Sequence, residues 1–201
     1  MSKANHCLLT IDKLGTIRLV SLSTHAYNSN NKLFIDFTRQ ALALIQRYDR
    51  RRMRVIEREI KYITKSEFTS WADFNTLIQE CMINFTQYQH LLDKNPHHYE
   101  WYLAHYASVI IHEATHGRLD SLGFPYSPAT RARIERICWI EQKRFASRLP
   151  SDRYDFSNDL IPPFQESDWH NYWHLTRWQR VKEGLKQLRR VWQEPIKPLG
   201  R

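Results

Sequence analysis

One stretch constrains this chain more than any other. From His98 to His116 no proline or glycine interrupts the residues, and Gly117 closes the run, so the segment reads as a single helix. Its last part is Val109-Ile110-Ile111-His112-Glu113-Ala114-Thr115-His116-Gly117. Residues four apart on a helix lie one above the other, so His112 and His116 can aim both imidazoles at one ion. Glu113 stands beside them, where a carboxylate can take a proton from water that such an ion has acidified. The rest of the fold must then bring at least one further ligand to this face.

His-Glu-x-x-His is the zinc-binding pattern of metallopeptidases. A catalytic zinc takes three protein ligands and leaves one position open. A third histidine at the metzincin spacing is absent, because Leu119 stands where that pattern needs glycine. The other solution is a glutamate from a following helix, and residues 131–149 offer Glu135 and Glu141. Ile134, Cys138, Glu141, Phe145 and Leu149 recur at spacings of 4, 3, 4 and 4, which places Glu141 in the middle of an apolar stripe. A carboxylate buried there needs a partner; a metal ion is one, and a buried arginine is the structural alternative. Glu135 lies six residues earlier, roughly 120° around the helix, beside Trp139 and Gln142. Helical geometry therefore favours Glu141 as the third ligand and leaves Glu135 a supporting or surface residue.

With Glu141-Gln142-Lys143-Arg144-Phe145-Ala146-Ser147-Arg148-Leu149-Pro150 downstream of His112-Glu113-x-x-His116, the chain resembles the small gluzincin metallopeptidases, including the ImmA/IrrE-like group. The resemblance covers residues 109–150. It implies one catalytic Zn2+ bound by His112, His116 and Glu141, Glu113 as general base, and hydrolysis of a peptide or protein substrate. The contrasting expectation is a basic nucleic-acid or protein-binding module with a structural or vestigial zinc site. Nucleic acid is the less favoured partner.

Around this centre the patterning predicts an α+β fold, a small β-sheet packed on a helical core that carries the motif helix and a following glutamate helix. Residues 7–11 and 16–23 read as strands joined through Asp12-Lys13-Leu14-Gly15, with Ile17 and Leu19 on one face. Residues 32–37 fit a strand or a helix entry equally. Helices follow at 38–48 and, capped by Asp49, at 50–64, where Ile56, Ile60 and Ile63 keep the 4,3 rhythm. Residues 77–85 read as a strand, placed where many zinc peptidases carry the edge strand that pairs with substrate. The helix after the motif starts behind Ser127-Pro128 and stops at Pro150, and residues 169–192 form a C-terminal amphipathic helix.

At 201 residues this is expected to be a single domain, residues 1–201. The formal charge of +9 would suit acidic partners, but the basic residues of 50–65 and 177–190 interleave with helical apolar positions, as on a solvated helix face. Cys7, Cys81 and Cys138 form no C-x-x-C pair and read as reduced thiols. With no secretory leader and no long apolar run, the expected location is the cytoplasm. Further candidates are Asp120 as a carboxylate orienting a ligand imidazole, His105 as a packed histidine, and Tyr154, His170, Tyr172 and His174 as donors to a developing oxyanion.

Overall fold

Ile17 and Leu19 are wholly buried while Arg18 between them is exposed, the alternation of a strand with one face on a core. In a computed structural model, described over residues 8–23, 29–66, 71–150, 154, 161 and 163–165, this strand is β2 (Ile17–Ser23). It pairs antiparallel with β1 (Leu8–Leu14) across a turn in which Gly15 takes φ +60°, a conformation that costs glycine nothing. Two helices follow, α1 (Ser29–Tyr48) and α2 (Arg50–Glu59), then β3 (Tyr62–Lys65), β4 (Ala72–Asn75) and β5 (Glu80–Ile83). The helices α3 (Phe85–Lys94), α4 (Tyr99–Ser121) and α5 (Arg131–Ala146) complete the described elements. They belong to the first of two compact units, residues 1–164, the second being 165–201.

The five strands form one mixed sheet in the order β1-β2-β3-β5-β4, so the expected α+β class is observed. β2, β3 and β5 run parallel at its centre, and β1 and β4 are antiparallel edges. Residues 32–37 are helical, since Phe34, Phe37, Ala41, Leu42 and Ile45 are buried at the 3.6-residue period of α1. Asp49 caps α2 as expected, accepting from the Arg52 amide at 3.1 Å. The helix is shorter than its apolar rhythm suggested. It ends at Glu59, Ile60 turns extended, and Ile63 is buried as a strand residue of β3. The 4,3 rhythm continues past the helix end only because Ile63 faces the same core from the sheet.

The expected strand at 77–85 is confined to β5. Leu77 and Ile78 are exposed in a turn, and Phe85 opens α3. β5 is hydrogen-bonded on both sides, to β3 and β4, so it is an interior strand. The edge near the motif helix is β4, whose pattern is too short and too polar to announce a strand.

The core lies between the sheet and α1, α3 and α4. Phe34, Phe37, Phe85, Tyr88 and Tyr106 meet edge to face or tilted, with ring centres 4.9–6.4 Å apart. The Tyr106 hydroxyl shares a 2.8 Å hydrogen bond with Thr38, which satisfies both groups in the interior. Cys81 and Cys138 are buried free thiols, and Cys7 lies outside the described residues. The expected C-terminal helix, residues 169–192, also lies outside them. No described helix is long and apolar enough to cross a membrane.

Candidate metal centre

α4 is buried on almost every side, because α1, α2, β4 and α5 all pack on it. Gly117 permits β4 and α2 to approach closely. A Cβ there would stand 2.7 Å from the Phe74 ring on β4 and 3.1 Å from Glu59 Cβ on α2. With the helix axis fixed in this way, His112 and His116 turn towards α5. Their Nε2 atoms are 3.1 Å apart, the i, i+4 convergence expected of the motif.

The carboxylate that meets them is Glu135. Its Oε2 lies 3.1 Å from His112 Nε2 and 3.6 Å from His116 Nε2. Glu141, the expected third ligand, is turned elsewhere. It pairs with Arg52 at 2.7 Å and with Arg144 at 2.7 Å, and Arg52 is in turn held by the buried Asp49. The partner required by a carboxylate on that face is therefore an arginine. The apolar stripe by itself leaves out the polar residues that share the buried side of the helix. The side of α5 that is buried carries Arg131, Glu135 and Gln142 as well as Ile134, Cys138 and Phe145.

Gln142 serves the same centre. Its Oε1 lies 2.9 Å from His112 Nδ1, and a carbonyl oxygen only accepts, so Nδ1 carries the proton. That leaves Nε2 as the ring's outward atom. Gln142 Nε2 donates to Ser108 at 3.4 Å, which orients the amide. On the far side, the Tyr126 hydroxyl donates a short hydrogen bond to Glu135 Oε1, and the Tyr126 ring stands edge-on to His116 at 5.4 Å. Tyr126 lies in the loop between the two helices, and nothing in its local sequence distinguished it.

The electrostatics follow from burial against these partners. Burial opposes ionisation of Glu135, but the hydrogen bonds and charge of His112 and His116 outweigh it and hold the carboxylate far below its usual range. His112 shows the reciprocal shift: burial opposes protonation, yet Glu135, Glu113 and Gln142 together raise the ring. Glu113 is buried, and that burial raises its carboxyl above the usual value despite the two imidazoles, with Asp73 and Glu135 adding to the rise. Among the described residues Glu113 accepts no hydrogen bond. Asp73, on β4, is close enough to feel both His116 and Glu135.

The donor set fits a metal ion. Bonds of about 2.0–2.1 Å in tetrahedral geometry place neighbouring ligand atoms roughly 3.3–3.4 Å apart. The separations of 3.1, 3.1 and 3.6 Å among His112 Nε2, His116 Nε2 and Glu135 Oε2 bracket that edge. Cys138, one turn beyond Glu135, also brings its sulfur within 4.8 Å of both imidazoles. Burial keeps this thiol protonated, assisted by the nearby Glu135 and Glu113 charges, whereas Glu135 is already anionic.

The remaining candidates separate cleanly. His105 belongs to the aromatic core, hydrogen-bonded at 2.8 Å to Tyr88 and stacked on Trp101. Asp120 is exposed beyond the motif, and Tyr154 is buried in the core. His170, Tyr172 and His174 lie outside the described residues. No family model, curated protein or solved structure matches this chain.

Proposed function

We propose that this chain is a zinc-dependent peptidase in which His112, His116 and Glu135 hold the ion and Glu113 is the general base. The observation that carries the reading is the triangle of two imidazole nitrogens and one carboxylate oxygen with tetrahedral spacing, beside a buried glutamate that none of them engages. Bound there, zinc would supply the Lewis acidity that brings the pKa of water near 7 and polarises a carbonyl.

The chain's own groups account for the rest. Glu113, with a carboxyl raised by burial, is suited to accept a proton from the attacking water and return it to the leaving amine. Tyr126 keeps its hydroxyl proton, which burial and Glu135 hold in place, and donates it to Glu135 Oε1, fixing the orientation of that carboxylate. Gln142 sets the His112 tautomer. Among the described residues β4 pairs only with β5, so its outer edge is open for an extended peptide to add as a further strand, next to Asp73 and His116. Replacing Glu113 with Gln should abolish peptide hydrolysis while zinc stoichiometry stays at one. Full activity in that variant would remove Glu113 from the mechanism.

A second reading rests on Cys138. Should its sulfur join the two histidines and Glu135, four protein ligands close the centre, and the zinc is structural. A cobalt-substituted protein with a strong thiolate charge-transfer band, lost in Cys138→Ser, would select this reading over the peptidase.

A further inference from the structure

A second cationic feature lies away from the histidines. Arg51, Arg54 and Arg58 recur on one face of α2, and Arg118 reaches the same place from α4, together with Val55 lining a half-open cavity of about 300 Å³. Arg118 is two residues past His116, about 200° around the helix, so the cavity opens on the side of α4 that meets α2 rather than α5. Of these four arginines only Arg58 has a carboxylate within ion-pairing distance among the described residues, Glu59 at 2.6 Å. Glu59 is itself buried and also accepts from Ser121, so it is committed to tying α2 to α4. Among the described residues Arg51, Arg54 and Arg118 make no ion pair, not even Arg54 with Glu57 one turn away.

We infer that this cavity binds the phosphate groups of a nucleotide or of a nucleic-acid strand. Guanidinium forks match phosphate oxygens in pairs, and the prevalence of arginine over lysine here favours planar, two-point recognition over a diffuse cationic surface. Charge and size point the same way. A single carboxylate would leave most of the four guanidinium groups unmatched, whereas two or three phosphates balance them. Arg51 to Arg58 spans seven residues, roughly 10 Å of helix, which suits a short run of phosphates and not one isolated ion. The net charge of +9 would raise the local concentration of such a ligand. This site is independent of the peptidase reading, because none of its residues touches the metal centre.

The test is binding measured by anisotropy and calorimetry on the full chain with zinc present. The probes are inorganic phosphate, ATP, a single-stranded oligonucleotide and polyglutamate, and the variants are Arg54→Glu, Arg118→Glu and, as a control of equal charge change at an exposed residue that does not line the cavity, Lys13→Glu. Circular dichroism checks that each variant is folded. The expected result is that ATP or the oligonucleotide binds more tightly than polyglutamate, and that each arginine reversal weakens binding tenfold or more while Lys13→Glu changes it less than twofold. Tighter binding of ATP identifies a nucleotide site, and tighter binding of the oligonucleotide identifies a strand. The inference is overturned if no phosphate probe binds at 1 mM, if polyglutamate is preferred, or if Lys13→Glu weakens binding as much as the arginine reversals. Loss of peptide hydrolysis in Glu113→Gln with unchanged phosphate binding would keep the two sites apart.

Discussion

Glu135 and Glu141 are the same residue type on the same helix, and their surroundings give them opposite tasks. Glu135 meets two imidazoles and a phenol; Glu141 meets two arginines. Removing each should therefore have distinct consequences. In Glu135→Ala, zinc binding should fall at least a hundredfold, because a three-ligand set has become two. Glu141→Ala should retain one zinc per chain and instead lose about 1–3 kcal/mol of stability, since Arg52 loses one of its two carboxylates in a part-buried setting. Metal analysis beside thermal melting reads both effects, and zinc loss in Glu141→Ala alone would reverse the assignment. His105 makes a different prediction. Burial lowers its pKa from 6.5 to about 4, and the groups facing it are Tyr88, Trp71 and Trp101, none of them charged. The folded chain thus keeps the ring neutral while the unfolded chain takes up a proton below pH 6.5. Stability from this source is present above pH 6.5 and is lost as pH falls towards 4, by about 3 kcal/mol at most. Melting of His105→Gln against the parent between pH 7 and 4.5 should show a shallower decline in the variant.

At the scale of elements, the contact of α4 with β4 and α2 decides where the histidines point. Gly117 lies within a helix, so Gly117→Ala should gain about 1 kcal/mol in helix propensity. The added methyl meets a rigid aromatic ring at 2.7 Å and a Cβ at 3.1 Å, and overpacking of that kind costs about 1–3 kcal/mol. A net loss is expected, with a lower Tm and weaker zinc binding if α4 shifts. A Tm above that of the parent would mean that Phe74 swings away freely. α4 was legible from its uninterrupted run of helix-compatible residues, and of α1 only the second half was, since residues 32–37 fit strand and helix alike. β3 and β4 were not. Each has four residues, and β3 exists because Tyr62–Lys65 finds partners in β2 and β5 that are remote in sequence. The expected substrate-pairing strand was assigned to β5 for the same reason: only the sheet order reveals that β5 is interior and β4 is the edge.

For the molecule as a whole, the His112–Glu135 and His112–Gln142 contacts tie α4 to α5, and the Asp49-Arg52-Glu141-Arg144 ion pairs, joined by Arg148, tie α2 to α5. A metal bound only by the folded chain adds stability by mass action, about 2.7 kcal/mol at a free concentration a hundred times Kd. At about 2–4 °C per kcal/mol for a domain of this size, chelation should lower Tm by roughly 5–10 °C, and zinc should restore it. An unchanged Tm on complete metal removal would argue that the folded chain holds no metal at this centre.

Local spacing determined that His112 and His116 converge with Glu113 beside them, because residues one and four apart on a helix share a geometry that no tertiary context alters. It also determined the α+β class, the first hairpin and the Asp49 cap, all of them short-range consequences of period and turn chemistry. The carboxylate that meets the two imidazoles was beyond it. Glu135 and Glu141 differ by a rotation of α5, and that rotation is set by which of its sides α4 covers and by Arg52 reaching Glu141 from α2. Only the packed structure holds both facts, because each depends on side chains that come together from separate helices.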